Sequence, residues 1–228
     1  MNWFRTIAFR TLFYILSVPI VATTPIAGLF GQRVLIAHSD RWSRLHRFLM
    51  RRVLGITPRI EGVIPTGQYL FVAKHEAMYE TLELQLQLGS PAMVLKRELM
   101  RIPLWGWSAV KYGAIVVDRE ASSKALRALM REAAAVRATG RSVIVYAEGT
   151  RVPHGESPPL RSGFAGLYKA LNLPVVPIAL DSGRLLPKKG PKRSGVITIR
   201  IGAPIPPGLP RRDAEARVHA AINVLNQP

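Results

Sequence analysis

The chain has 228 residues, 48% hydrophobic and only 20% charged, which suits one catalytic-sized core domain with an accessory segment and excludes a globally disordered protein. It has no cysteine, which excludes disulfides, thiol nucleophiles and Cys-ligated zinc; its histidines, at 38, 46, 75, 154 and 219, lack metal-ligand spacing, so no metal site is expected. Lysine and arginine exceed aspartate and glutamate by 32 to 14, and the net charge of +18 calls for a polyanionic partner: nucleic acid, anionic lipid or phosphorylated metabolites.

From Thr11 to Gln32 there is no charged residue. At about 1.5 Å per residue, a helix of that length just covers a hydrocarbon layer of roughly 30 Å. Pro19 and Pro25, with the polar pair Thr23-Thr24 between them, interrupt helical hydrogen bonding, so a bent or re-entrant helix is expected as readily as a straight span. Arg5 and Arg10 precede the stretch and Arg33, Arg41 and Arg44 follow it. Charge on both flanks gives no orientation by the positive-inside rule and suits a monotopic helical hairpin. A signal peptide shares the pattern of basic start and apolar run, but no clear cleavage site follows.

The next segment, Ser39 to Leu54, places Trp42, Leu45, Leu49 and Val53 at helical spacing, with Arg41, Arg44, Arg47, Arg51 and Arg52 interleaved. Such a helix suits a lipid interface, its arginines among anionic headgroups; the competing reading is a helix docked on the core with a solvated basic face. Residues 1–54 are therefore read as N-terminal membrane-associating helices and residues 55–228 as an α/β domain.

After Gly55, short apolar runs predict strands at Arg59–Val63, Tyr69–Ala73, Ala92–Leu95, Ala114–Val117, Val143–Tyr146, Val175–Leu180 and Val196–Ile201. Helical patterns fall among them at Tyr79–Leu88, Ser122–Ala138 and Gly163–Leu171, with a last one at Arg211–Leu225. This alternation predicts a largely parallel sheet flanked by helices. The basic Pro/Gly-containing stretch Arg184–Ser194 reads as a solvated connector.

The run Tyr69–Ala73 stops at Lys74-His75, just before a helical segment. An imidazole therefore sits at the carboxyl end of a strand, where open α/β folds bind ligands. Glu80 lies five positions on, about 140° away on a regular helix. The two side chains meet only if His75 precedes the helix; the carboxylate then fixes the imidazole tautomer. The run Tyr146–Arg151, YAEGTR, follows another strand. Its Glu148, Gly149, Thr150 and Arg151 emerge at the same edge, Arg151 placed for a phosphate and Glu148 for a hydroxyl or a neighbouring cation. Gly113–Arg119 ends similarly, with Arg119 just beyond a strand.

Taken together, KHEAMYE (74–80), GAIVVDR (113–119), YAEGTR (146–151) and LPVVPIAL (173–180) resemble, in order and spacing, the four motif blocks of the glycerophospholipid acyltransferases typified by 1-acyl-glycerol-3-phosphate acyltransferase. The resemblance covers roughly residues 55–205. Two positions depart from it: Glu80 stands where the first block usually ends in aspartate, and Tyr146-Ala147 where the third usually reads phenylalanine-proline.

The resemblance implies that His75 is the general base and Glu80 its orienting partner, acting on an acceptor hydroxyl that attacks an acyl thioester. It implies an acceptor site of Arg119, Glu148, Gly149, Thr150 and Arg151, with Lys96 as a further phosphate ligand. It also implies acyl-CoA or acyl carrier protein as donor with no cofactor, membrane lipids as partners, and the cytoplasmic face of the inner membrane as location. No nucleic-acid motif is present. Another lysolipid acceptor, such as lyso-ornithine lipid, and a non-catalytic basic membrane-binding protein remain open alternatives.

Overall fold

The computed structural model of the protein describes residues 2–102, 104–117 and 123–226. Seven strands, β1 (Ile56–Glu61), β2 (Leu70–Ala73), β3 (Ala92–Lys96), β4 (Ile115–Val117), β5 (Val143–Val145), β6 (Val175–Leu180) and β7 (Gly195–Ile201), form one sheet in the order β1-β7-β6-β2-β5-β3-β4. Five adjacent strands, β6 to β4, run parallel, and β7 pairs antiparallel with β6 but parallel with β1. Every residue of β2, β5 and β6 is buried, as required of parallel strands covered on both faces.

Side chains alternate along each strand, so β2 supplies two cores. Phe71 and Ala73 join Ile144, Val176 and Ile178 on one face; Leu70 and Val72 join Val143, Val145 and Val175 on the other. Helices α5 (Ser123–Ala138), α6 (Gly163–Leu171) and α8 (Arg211–Ile222) cover the second face through Leu129, Ala133, Phe164, Leu167, Val218 and Ile222. The first face is covered by α3 (Tyr79–Gln87) and by the N-terminal helices, through Leu82, Leu84, Phe9, Phe13, Leu49, Met50 and Leu54.

Those N-terminal helices are α1 (Asn2–Leu29) and α2 (Gln32–Leu49), the latter extended by a π-helical turn, Met50–Leu54. The helix α1 continues through Pro19 and Pro25. Near the prolines, the Thr23 and Thr24 hydroxyls donate to the carbonyls of Pro19 (2.7 Å) and Ile20 (2.9 Å), and His38 Nε2 reaches Ile20 O at 2.8 Å. The two threonines thus bond back to carbonyls four residues earlier, between the two prolines, a pattern that bends helices. The start of α2 lies earlier than the pattern suggested because Leu35, buried to 1% exposure, packs with Ala27 and Tyr112.

The two helices form an antiparallel hairpin turning at Phe30-Gly31. Arg5 Nε donates to Val53 O (2.7 Å), Trp42 Nε1 to Ser17 Oγ (2.8 Å), and the Phe13 ring stacks on Trp42 at 5.9 Å. The outer face of the hairpin leaves Trp3, Phe4, Ile7, Tyr14, Ile15, Val18, Leu29 and Phe30 exposed. Among the described residues, α1 is the one helix long and apolar enough to cross a membrane.

Between β3 and β4 lies a helix the sequence pattern did not reveal, α4 (Trp105–Tyr112). Its docking is tertiary: a Cβ on Gly28 of α1 would come 2.7 Å from Trp107 Cζ3, so glycine lets the indole lie against the helix. Within the Arg184–Ser194 stretch the chain passes from a short turn of helix, α7 (Ser182–Leu185), into β7.

Candidate active site

Three adjacent strands, β6, β2 and β5, end side by side. Their carboxyl ends deliver Asp181–Gly183, Lys74–Glu80 and Tyr146–Arg151 to one edge of the sheet. This is the crevice position expected for a parallel sheet.

His75 lies in the loop after β2, before α3 begins at Tyr79. Its Nδ1 is 3.3 Å from Glu80 Oε1. The Glu80 carboxylate has no exposed surface and is held from several sides: the backbone N–H groups of Glu76 and Ala77 donate to Oε1 (2.5 and 2.6 Å), and the Ser182 hydroxyl donates to Oε2 (3.1 Å). An anion in the first turn of α3 is also favoured by the helix dipole. With Nδ1 donating to this carboxylate, Nε2 carries the lone pair, and the imidazole can accept a proton from a bound hydroxyl. Thus the longer side chain of glutamate, in place of aspartate, reaches the ring.

The Tyr146 ring lies 4.4 Å from the His75 ring. Its hydroxyl is buried without a partner among the described residues, and burial together with the nearby Glu80 charge pushes its ionisation well above the usual range. It is therefore a neutral wall for the imidazole.

The expected acceptor residues divide. Glu148 turns inward, its side chain fully buried. Lys74 Nζ donates to its Oε1 (2.7 Å) and the His75 backbone N–H to its Oε2 (3.2 Å). Of the two partners expected for Glu148, a hydroxyl or a neighbouring cation, the cation is present: a buried carboxylate needs a counter-charge, and Lys74, itself fully buried, supplies it. Lys74 also donates to Glu156 O (2.6 Å) and to Asn223 Oδ1 of the segment after α8 (2.8 Å). Three acceptors thus satisfy all the donors of one ammonium.

Gly149 occupies the turn after β5 with φ of +70°, and a Cβ there would lie 3.0 Å from Arg161 Cγ, so both backbone and space favour glycine. Thr150 is exposed. Arg151, also exposed, borders a cleft of about 230 Å³ with Glu76, His154, Gly183, Pro187 and Lys188. Lys96 closes β3, beyond β5 in the sheet order, and is half-buried. Arg119 lies outside the described residues. Among the described residues no cluster of histidines and acids is suited to a metal ion.

Sequence reasoning did not single out Lys74, His154, Ser182 or Gly183 for the site. Lys74 carried a signal in its place immediately before His75 at the end of a fully apolar strand. The other three become visible only through the strand order, which brings β6 and β5 to either side of β2.

The family model described as Acyltransferase matches residues 55–181. The chain is 33% identical over 191 residues to a 1-acyl-sn-glycerol-3-phosphate acyltransferase of Pseudomonas aeruginosa, covering 82% of this chain and 72% of that one. It is 25% identical over 212 residues to the 1-acyl-sn-glycerol-3-phosphate acyltransferase of Saccharomyces cerevisiae, covering 86% and 70% respectively. The crystal structure of a 1-acyl-sn-glycerophosphate acyltransferase from Thermotoga maritima superposes with a TM-score of 0.75 at 19% identity, over 100% of this chain and 99% of that one, so the fold is shared throughout. A sheet edge carrying a carboxylate-held histidine, and a matching family model over more than half the chain, lead to one conclusion: the protein is an enzyme of the acyltransferase family.

Proposed function

We infer that the enzyme transfers a fatty acyl group from an acyl thioester to the free hydroxyl of a lysophospholipid, with 1-acyl-glycerol-3-phosphate as acceptor and phosphatidic acid as product. The observation that carries this reading is His75, with Nδ1 on the buried Glu80 carboxylate, beside an Arg151-lined cleft. His75 Nε2 takes the acceptor proton as the hydroxyl oxygen attacks the thioester carbonyl; the new C–O bond forms, the C–S bond breaks, and the proton passes to the departing thiolate. No covalent acyl-enzyme and no cofactor is required. In this reading Arg151 grips the acceptor phosphate, Thr150, Lys96 and Arg119 are the further acceptor-binding residues that the family resemblance implies, and Gly149 shapes the turn that presents Arg151.

In this reading acyl-CoA or acyl carrier protein donates the acyl group. The exposed apolar face of the α1–α2 hairpin and the arginines of α2 seat the enzyme on the cytoplasmic face of the inner membrane, where lysolipid acceptors lie. The relatives' names, 1-acyl-sn-glycerol-3-phosphate acyltransferases, support the choice of acceptor. Purified enzyme, incubated with acyl-CoA and a panel of lysolipids, is expected to yield phosphatidic acid by mass spectrometry. His75→Ala is expected to lower that rate by at least about 10²-fold; an unchanged rate would remove His75 from the chemistry.

A further inference from the structure

The cleft beside Arg151 contains a second imidazole–carboxylate pair that the acyl-transfer chemistry leaves unused. His154 Nδ1 lies 3.0 Å from Glu76 Oε1, and the Gly183 N–H donates to Glu76 Oε2 at 2.6 Å. The Glu76 side chain is fully buried, whereas that of His154 keeps 16% of its surface exposed. Both line the cleft, together with Arg151 and Lys188.

The arrangement is tightly built. A Cβ on Gly183 would lie 3.0 Å from Glu76 Oε2 and 3.1 Å from His154 Cβ, so glycine lets the loop after β6 close over the pair. With Nδ1 held by Glu76, the nitrogen left for the cleft is Nε2, which has no protein partner among the described residues. The cleft therefore offers a guanidinium, an ammonium and an oriented imidazole nitrogen to one ligand, at a distinct place from the His75–Glu80 pair.

We propose that His154, oriented by Glu76, selects the headgroup of the acceptor: with Arg151 and Lys188 it binds a terminal phosphate monoester and discriminates against phosphodiester headgroups. This rests on the reading of the acceptor as a phosphorylated lysolipid. A monoester carries three non-bridging oxygens and a second ionisation near pH ~6, so it donates P–OH to a bare Nε2 or accepts a hydrogen bond from a protonated one. Arg151 takes two oxygens in a fork, leaving the third for His154 and Lys188. A phosphodiester has two such oxygens, one charge and no proton to donate, and its second alcohol substituent competes for the space in front of His154.

The test compares wild type, His154→Gln and His154→Ala, as full-length protein with acyl-CoA, on 1-acyl-glycerol-3-phosphate and on 1-acyl-glycerophosphocholine of the same acyl chain. Wild type is expected to prefer the monoester, and His154→Ala to lose about tenfold to a hundredfold in kcat/KM on it. The loss falls in KM, kcat stays within about twofold, and the rate on the diester does not change. A second readout needs no turnover: the imidazole resonances of His154, assigned by their loss in His154→Gln, are expected to shift with sn-glycerol 3-phosphate and not with glycerophosphocholine. Equal losses on both acceptors, a loss confined to kcat, or resonances unmoved by glycerol 3-phosphate would each overturn the proposal. An unaltered monoester preference in His154→Ala sinks this inference alone, whereas wild type that acylates no phosphorylated lysolipid sinks the functional reading with it.

Discussion

Lys74 shows how a charge is kept in the interior of this fold. Its ammonium has no exposed surface and is met by Glu148 Oε1, Glu156 O and Asn223 Oδ1, while the other Glu148 oxygen accepts the His75 N–H. One residue thus ties the histidine block, the glutamate-glycine-threonine-arginine block and the C-terminal segment into one network. Lys74→Met leaves a buried carboxylate unpaired and is expected to destabilise the protein by about 3–5 kcal/mol in denaturant unfolding. Adding Glu148→Gln to that variant is expected to restore most of the loss; a double variant as unstable as the single one would contradict the charge argument. Beside His75, Glu80→Gln keeps the shape but removes the negative charge. It is expected to lower kcat by about tenfold to a hundredfold with little change in lysolipid KM, which steady-state kinetics on both variants would separate.

At the scale of elements, His46 sits where the N-terminal hairpin packs against α3. Its ring packs edge-on against Phe9 and Phe13, at 5.7 and 5.1 Å, and against Tyr79 at 6.1 Å, and its Nδ1 is buried without a partner among the described residues. Burial lowers its ionisation from 6.5 to about 4. The folded protein therefore keeps the ring neutral over a range in which the unfolded chain binds a proton, and stability present above pH 6.5 is lost as pH falls towards 4. At roughly 1.4 kcal/mol per unit the full effect is about 3 kcal/mol. Unfolding midpoints are expected to fall between pH 7 and pH 5, and His46→Leu to flatten that slope; hydrogen exchange is expected to show α1 and α2 opening first on acidification. A wild-type slope that survives in His46→Leu would assign the pH dependence to other groups.

For the whole molecule, a net charge of +18 and an exposed apolar face on the hairpin act together. Exposed Arg44, Arg51 and Arg52 surround Phe48 in a shallow basic depression at the end of α2. The connector between α7 and β7 is tied to α1, since the Lys192 N–H donates to Thr6 Oγ1 at 2.8 Å. Each arginine near an anionic surface contributes about 1 kcal/mol, so replacing Arg44, Arg51 and Arg52 by glutamine is expected to weaken binding to anionic vesicles by about a hundredfold at low salt. Binding to zwitterionic vesicles, carried by the apolar face, is expected to stay nearly constant in co-sedimentation, and added salt to shrink the difference.

The seven strands were legible in the sequence because period and apolar run length are local properties, and their alternation with helices made a largely parallel sheet legible too. The contact between His75 and Glu80 was legible as a condition, since it needs only that the imidazole precede α3. Helix α4 was not, because WGWSAVKY owes its helix to packing of Trp107 against Gly28 and of Tyr112 against Leu35, nor was the passage of α1 through two prolines. The inward turn of Glu148 and the pairs Ser182–Glu80 and His154–Glu76 join residues 73, 102 and 78 positions apart. No local pattern encodes such partners. The chain itself determined the strands, the helices other than α4, and which chemistry it carries; the strand order β6-β2-β5 decided which of those groups meet, because only adjacency of strand ends brings distant residues within hydrogen-bond reach.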